Sequence, residues 1–235
     1  MQNKRNFDWD DFDSGLPGKK HRVDPDAESK EPERRDAPIY HIRPVPGDNF
    51  KIMLFKPKVP YEFFETRQIQ PHITLIRLTN KPIVDKPPMG ILFIDIDETL
   101  VKFEESAYAD QLIFINLQKH RDKFKALLKE GYKLIPCTAR DYKDELNDHY
   151  LSVLNILNEV MQGAFEEMVF TGGGHKHHSI LYFGLKYNLP MHKLCLMDDN
   201  DKYLYPCKVR GITTIKVKPD SDDYLDELDA LSSDV

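Results

Sequence analysis

After Pro88 the chain alternates short, wholly apolar runs with amphipathic stretches, a pattern that few architectures can absorb. GILFID (90–95) reads as a buried strand, and a helical run through Phe124, Leu127 and Leu128 stops at Gly131, a residue suited to a C-cap. KLIPCT (133–138) is the next strand, although Pro136 is awkward in a central one. Leu146, Tyr150, Val153, Leu154, Leu157 and Val160 recur on one helical face and predict a long helix from Asp144 to Met161. EMVFT (167–171) is a third strand and His178 to Tyr187 a third helix. KLCLMD (193–198) and ITTIKV (212–217) supply two more strands around a short helical segment. Such alternation implies parallel pairing, right-handed crossovers and a three-layer α/β domain, with the ligand site at the carboxyl ends of the strands.

Upstream, the text differs. Twelve of the 16 prolines lie within residues 1–90. Residues 1–48 mix 9 basic and 11 acidic side chains without a sustained apolar period, which predicts a disordered arm. Within that arm, Phe7, Trp9 and Phe12 are unusual for a spacer. Residues 49–88 carry KIMLF, YEFF and HITLIRL between Pro-containing turns and read as a small β accessory. At the other end, residues 219–235 form an acidic tail. Residues 218–235 hold one Lys and seven acids and so account for the whole formal charge of −6, leaving 32 basic against 32 acidic residues elsewhere. A chain without a basic surplus is poorly equipped for general affinity to phosphate backbones, so nucleic acid is a disfavoured partner.

The apolar runs are too short to cross a bilayer, and the start has no apolar core of a signal peptide. Cys137, Cys195 and Cys207 form an odd, unclustered set, which fits a reducing, cytoplasmic setting and no structural zinc.

The chemistry is concentrated where the core strands end. The first runs into DIDETL (95–100), the second into CTAR (137–140), the third into TGGGHK (171–176) and the fourth into DDND (198–201). Four carboxylates, a hydroxyl and a lysine would converge on one rim. Such acids repel one another, and a hard divalent ion with oxygen ligands, Mg²⁺ best of all, is their natural neutraliser.

In order and spacing these four motifs resemble the haloacid dehalogenase superfamily of phosphatases, over roughly residues 89–218. The resemblance implies a HAD-like, Rossmann-like fold and a Mg²⁺-dependent phosphomonoesterase. It casts Asp95 as the nucleophile that forms an aspartyl phosphate, and Asp97 as the acid and base that serves the leaving oxygen and then the water. Thr138 and Lys176 would bind the transferring phosphoryl group. Mg²⁺ would be held by Asp95, the backbone carbonyl of Asp97 and the pair Asp198 and Asp199, with Asp199 favoured as the direct ligand.

Other residues near these motifs have more than one reading. Thr99 is expected to stabilise the turn, and Lys176 is preferred over Lys186, which lies a helix further on. Arg140 could bind a substrate phosphate or sit in an ion pair. Gly172 to Gly174 allow a tight turn beside phosphate. His175, His177 and His178 are adjacent along the chain and are not expected to share one face, which argues against a metal role. Only two residues separate Cys137 from Arg140, too few for the phosphate loop of cysteine-dependent phosphatases.

Forty-three positions separate Asp95 from Thr138 and 38 separate Thr138 from Lys176, which leaves no room for a cap domain. An open site favours bulky substrates, and a phosphorylated protein or peptide is the expected partner. DIDETL is also similar to the form in uncapped phosphoprotein phosphatases of the carboxy-terminal-domain type, although Asp198-Asp199 departs from their Asp-Asn. The run VFTGGGHK looks closer to bacterial effector phosphotyrosine phosphatases. The acidic end likewise resembles a leaderless export signal, which would carry the protein into a host cell. The competing readings are a nucleotide or polynucleotide end phosphatase, a scaffold that binds phosphate without turnover, and a receiver domain. The last would lack an acid at the position of Asp97.

Overall fold

The computed structural model describes residues 40–45, 49–54, 64–78, 86–104, 110–142, 157–218 and 221–233. Its centre is a seven-stranded sheet in the order β11-β10-β5-β8-β9-β4-β3. Strands β5 (Gly90–Ile94), β8 (Tyr132–Thr138), β9 (Glu167–Phe170), β10 (Leu194–Asp198) and β11 (Thr213–Lys216) pair with one another in parallel. The mixed α/β architecture with a mostly parallel sheet is thus as the alternation required. Pro136 sits in register with Ile94, and the β8 ladder with β9 begins only at Cys137.

Both faces of the sheet are covered, and the strand period of two sorts their side chains. Leu92 and Ile94 join one core with Leu134, Met197 and Phe124, while Ile91 and Phe93 join the other with Ile135, Leu196 and Phe183. Helix α1 (Leu117–Lys129) covers the first face. Helices α2 (His177–Tyr187) and α3 (Asp201–Lys208) cover the second. Of the long helix predicted from Asp144, residues 143–156 lie outside the described ones, and 157–160 form a helical turn that buries Leu157 and Val160.

The predicted β accessory is not one unit. Strands β3 (Phe64–Gln70) and β4 (Ile73–Leu78) form a hairpin that extends the main sheet, β4 lying antiparallel to β9. Strand β2 (Asn49–Leu54) belongs instead to a four-stranded sheet in the order β1-β2-β7-β6, which also contains β6 (Val101–Glu104) and β7 (Asp110–Phe114). Its first strand, β1 (Tyr40–Val45), falls inside the segment expected to be disordered, so the arm ends earlier than composition suggested. Charge content hid a strand that is ordered by its partner β2 rather than by its own apolar pattern. Phe7, Trp9 and Phe12 lie outside the described residues.

The acidic end is a second correction. A 3₁₀ turn (Asp223–Leu225) and helix α4 (Glu227–Ser233) bury Tyr224, Leu225, Leu228 and Leu231 in the α1-side core. Asp222 pairs with Lys119, and Asp229 with Lys123 at 2.6 Å, so the acids face basic residues of α1. Inside, the Tyr132 hydroxyl donates to the Leu231 carbonyl at 2.6 Å. His120 Nδ1 lies 2.9 Å from the Ile115 carbonyl, which can only accept, so His120 Nε2 accepts from the Tyr224 hydroxyl at 3.3 Å. The apolar side chains supply the stability, because exposed ion pairs contribute little. Leu228→Asp is therefore expected to lower unfolding free energy by about 3 kcal/mol or more. Urea denaturation measures this, and an unchanged midpoint would mean that the segment is not docked.

Candidate active site

Strand β5 ends where its side chains turn from apolar to acidic. The Asp95 amide donates to the Met197 carbonyl at 2.9 Å, which fixes the end of β5 against β10. The chain then winds tightly: the Ile96 carbonyl accepts from Leu100 and Val101 at 3.0 Å each, and Glu98 takes a left-handed φ of 59°. The Thr99 hydroxyl is buried without a hydrogen-bond partner, so the backbone rather than this hydroxyl holds the turn.

Lys176 enters from the loop after β9 and is almost fully buried, at 1% exposure. Its Nζ donates to Asp95 Oδ1 and, at 2.6 Å, to Asp198 Oδ2, and lies 4.8 Å from the Tyr203 ring centroid. Asp198 is held from its other side by the Asn200 amide at 2.8 Å. One buried ammonium thus faces two buried carboxylates. Burial pushes Lys176 down, but Asp95 and Asp198 outweigh it and raise the lysine above its ordinary range. Among the described residues Lys176 is the one cation paired with these two carboxylates, and burial pushes the Asp95 carboxyl up to about 7 against the pull of Lys176, with Asp198 and Asp97 adding to the rise. Asp199 is half-buried beside them and is likewise raised, first by burial and then by Asp198.

That charge deficit bears on a cation. Asp95, Asp198 and Asp199 each offer a carboxylate oxygen, and these atoms lie within 4.8 Å of one another. All three are hard oxygen donors, and a cation among them would offset both the burial and the neighbouring negative charge that raise Asp95. The residues present therefore fit a divalent metal ion.

Asp97 stands apart from that group. Its two oxygens receive Arg140 Nε at 2.9 Å and Nη2 at 2.8 Å, so Arg140 sits in an ion pair with Asp97 here. Neither residue is buried, so the pair can open at modest cost. Thr138 is buried at the end of β8 and its hydroxyl accepts the Arg140 amide at 3.3 Å, which leaves the hydroxyl proton to be donated elsewhere. Lys186 stays outside, on the rings of Phe183 and Tyr187. Burial pushes the Cys137 thiol up to about 11, so it is no nucleophile.

The glycine loop is shaped by a neighbour the sequence did not suggest. Gly172 has φ 57°, and a side chain there would meet the His72 carbonyl at 2.7 Å and Asp141 Oδ1 at 2.8 Å. At Gly174, a Cβ would strike the His72 ring at 2.9 Å. These two glycines therefore make room for the β3–β4 turn. His72 and Tyr203 were both missed, since neither lies in a motif; the nearest signal for Tyr203 was its place five residues after Asp198.

No helix among the described residues is long and apolar enough to cross a membrane. No protein-family model matches the chain, and no curated protein matches its sequence. Among solved structures, the chain is similar to an uncharacterized protein from Corynebacterium glutamicum, at 15% identity and a TM-score of 0.46, over 62% of this chain and 96% of that one. It is also similar to a hypothetical protein from Xanthomonas campestris, at 17% identity and a TM-score of 0.41, over 59% of this chain and 69% of that one.

Proposed function

We propose that the protein is a Mg²⁺-dependent phosphomonoesterase of the haloacid dehalogenase type that acts on phosphoproteins. The observation that carries this reading is the buried Lys176 bridging Asp95 and Asp198 at the ends of neighbouring strands β5 and β10. A lysine held between two carboxylates, with a third at hand for a metal, suits a reaction in which charge on a phosphoryl group must be neutralised without moving the protein.

In this mechanism an Asp95 oxygen attacks phosphorus while the bond to the leaving oxygen breaks. Asp97, released from Arg140, delivers its proton to that oxygen. Water then attacks the aspartyl phosphate, Asp97 takes up the water proton, and phosphate departs with the Asp95 carboxylate restored. Lys176 balances charge on the phosphoryl oxygens and on Asp95, and Thr138 donates its hydroxyl proton to the same group. Arg140, once freed, is placed to receive an anionic part of the substrate. A metal ion would be held by Asp95, Asp198 and Asp199, with the Asp97 carbonyl as the resemblance implies, and would supply a fixed positive charge.

The substrate class follows from access. Between Asp95 and Thr138 the described residues form β6, β7 and α1, and between Thr138 and Lys176 a helical turn and β9. The short spacings between the motifs favour a site open to a bulky phosphorylated side chain, and phosphotyrosine is the form we favour. Full-length protein should hydrolyse an aryl phosphate with Mg²⁺ and lose at least about 100-fold in rate with EDTA, given the kcal/mol that metal charge contributes. A panel of phosphotyrosine, phosphoserine and phosphothreonine peptides beside 3′- and 5′-phosphorylated oligonucleotides then decides the class. Turnover of oligonucleotides alone would overturn the phosphoprotein reading, and no turnover of any phosphoester would overturn the enzyme.

A further inference from the structure

Beside Lys176 lies a second group of side chains that this reaction does not use. Three imidazoles, those of His175, His177 and His178, pack together with ring centroids 5.3 Å (His175–His177), 6.1 Å (His175–His178) and 4.2 Å (His177–His178) apart. His72 closes one side from the β3–β4 turn, 6.2 Å from His178. Adjacency along the chain was expected to point these rings apart. The start of α2 and the bend after Gly174 bring them together instead.

A metal-bound imidazole nitrogen lies about 2.0 to 2.1 Å from zinc, so two rings sharing a tetrahedral ion have centroids about 5.2 Å apart. The His175–His177 spacing matches that distance, and the other two sides of the triangle bracket it. Among the described residues only the carboxylate group already has three ligand atoms converged, so the imidazoles would have to turn about their second side-chain torsion to close on an ion. That torsion is soft. His177 supplies an independent observation: the residue is 4% exposed, yet its Nδ1 has no hydrogen-bond partner. Burial first, then His178, Arg210 and His175, push the His177 ring down to about 4, and His178 is lowered as well. Both rings are therefore neutral near pH 7, with lone pairs to offer.

We propose that His175, His177 and His178 form a second cation site, distinct from the carboxylate cluster, that takes a borderline transition-metal ion of the Zn²⁺, Ni²⁺ or Cu²⁺ class. The donor set selects that class, since it is all imidazole nitrogen. Occupancy would fix the residues on both sides of Lys176 and hold the loop that delivers this lysine. The site stands independently of the phosphatase reading.

The test uses full-length protein stripped of metal and carrying Asp199→Asn, which weakens the carboxylate cluster. Titration calorimetry with Zn²⁺ should give one ion per chain at micromolar affinity, and Cu²⁺ should show nitrogen couplings in its electron paramagnetic spectrum. Adding His175→Ala and His178→Ala should weaken Zn²⁺ binding at least tenfold and remove those couplings. His175 is exposed and His178 partly so, hence this variant should keep the far-ultraviolet circular dichroism of its parent. Absence of Zn²⁺ binding in the Asp199→Asn protein, or unchanged affinity and couplings in the histidine variant, would overturn the site. Neither result would bear on Mg²⁺-dependent hydrolysis.

Discussion

Replacing Asp95 with Asn should cost at least about 10⁴-fold in kcat on an aryl phosphate while making the metal-free protein more stable. The first half follows from removing an attacking oxygen, for which no neighbouring group can substitute. The second follows from the charge count at the site, where Lys176 serves both Asp95 and Asp198 and one buried negative charge is left over. Asn has nearly the same shape and can still accept from Lys176 Nζ, so Lys176 and Asp198 become a balanced pair. In EDTA at pH 8 the urea midpoint should therefore rise, and Mg²⁺ affinity should fall with the lost ligand. Activity within tenfold of the parent would remove Asp95 from the nucleophile's role. A lowered midpoint would show instead that the charge count is mistaken.

Lys176→Met is the opposite case and should damage both properties. The side chain is buried at the centre of the site, and its loss leaves Asp95 and Asp198 facing each other without a cation. Removing one partner of a buried ion pair typically costs about 3 to 5 kcal/mol. The cost should depend on pH in a definite direction. Asp95 already has a folded-state value raised to about 7 from 3.8, and loss of Lys176, which pulls it down, raises it further. A carboxyl raised in the folded state binds more protons there than in the unfolded chain, so stability is full below its unfolded value and is lost as pH rises through the folded one. In EDTA the variant should therefore approach the parent near pH 4 and fall furthest behind it at pH 8. An equal deficit at both pH values would point to lost packing rather than lost charge. Turnover should fall by about 10³-fold, in line with removal of a group aimed at developing charge.

How much of this was legible depended on whether the determining contact was local. GILFI, LIPC and LCLM announced buried strands because side chains that face helices on both sides have to be apolar throughout, and the acids after them marked the rim. Lys176 could be chosen over Lys186 from order along the chain. The Asp97–Arg140 pair could not be read, because it joins residues 43 apart whose proximity depends on β5 and β8 being neighbours. The acidic end was misread for another reason. Tyr224, Leu225, Leu228 and Leu231 have helical spacing, but the net charge of the segment drew attention to its exposed face and away from Lys119 and Lys123, which answer it. His72 escaped because a hairpin turn carries no signal for the strand beside which it will lie.

The pairing of β4 with β9 sets an order of events during synthesis. Leu75 lies opposite Val169, and Ile52 opposite Leu112, so each upstream strand is made long before its partner. Until about residue 170 has left the ribosome, the β3–β4 hairpin has no sheet to join, and its inner edge is open to other chains. Contacts of such long range are slow to form and arrive late. The loop that carries Lys176 follows β9 directly, so the lysine is made only after that strand. The charge cluster is completed later still, when β10 brings Asp198 beside β5, so the open edge of β5 outlasts that of the hairpin until about residue 198 has been made.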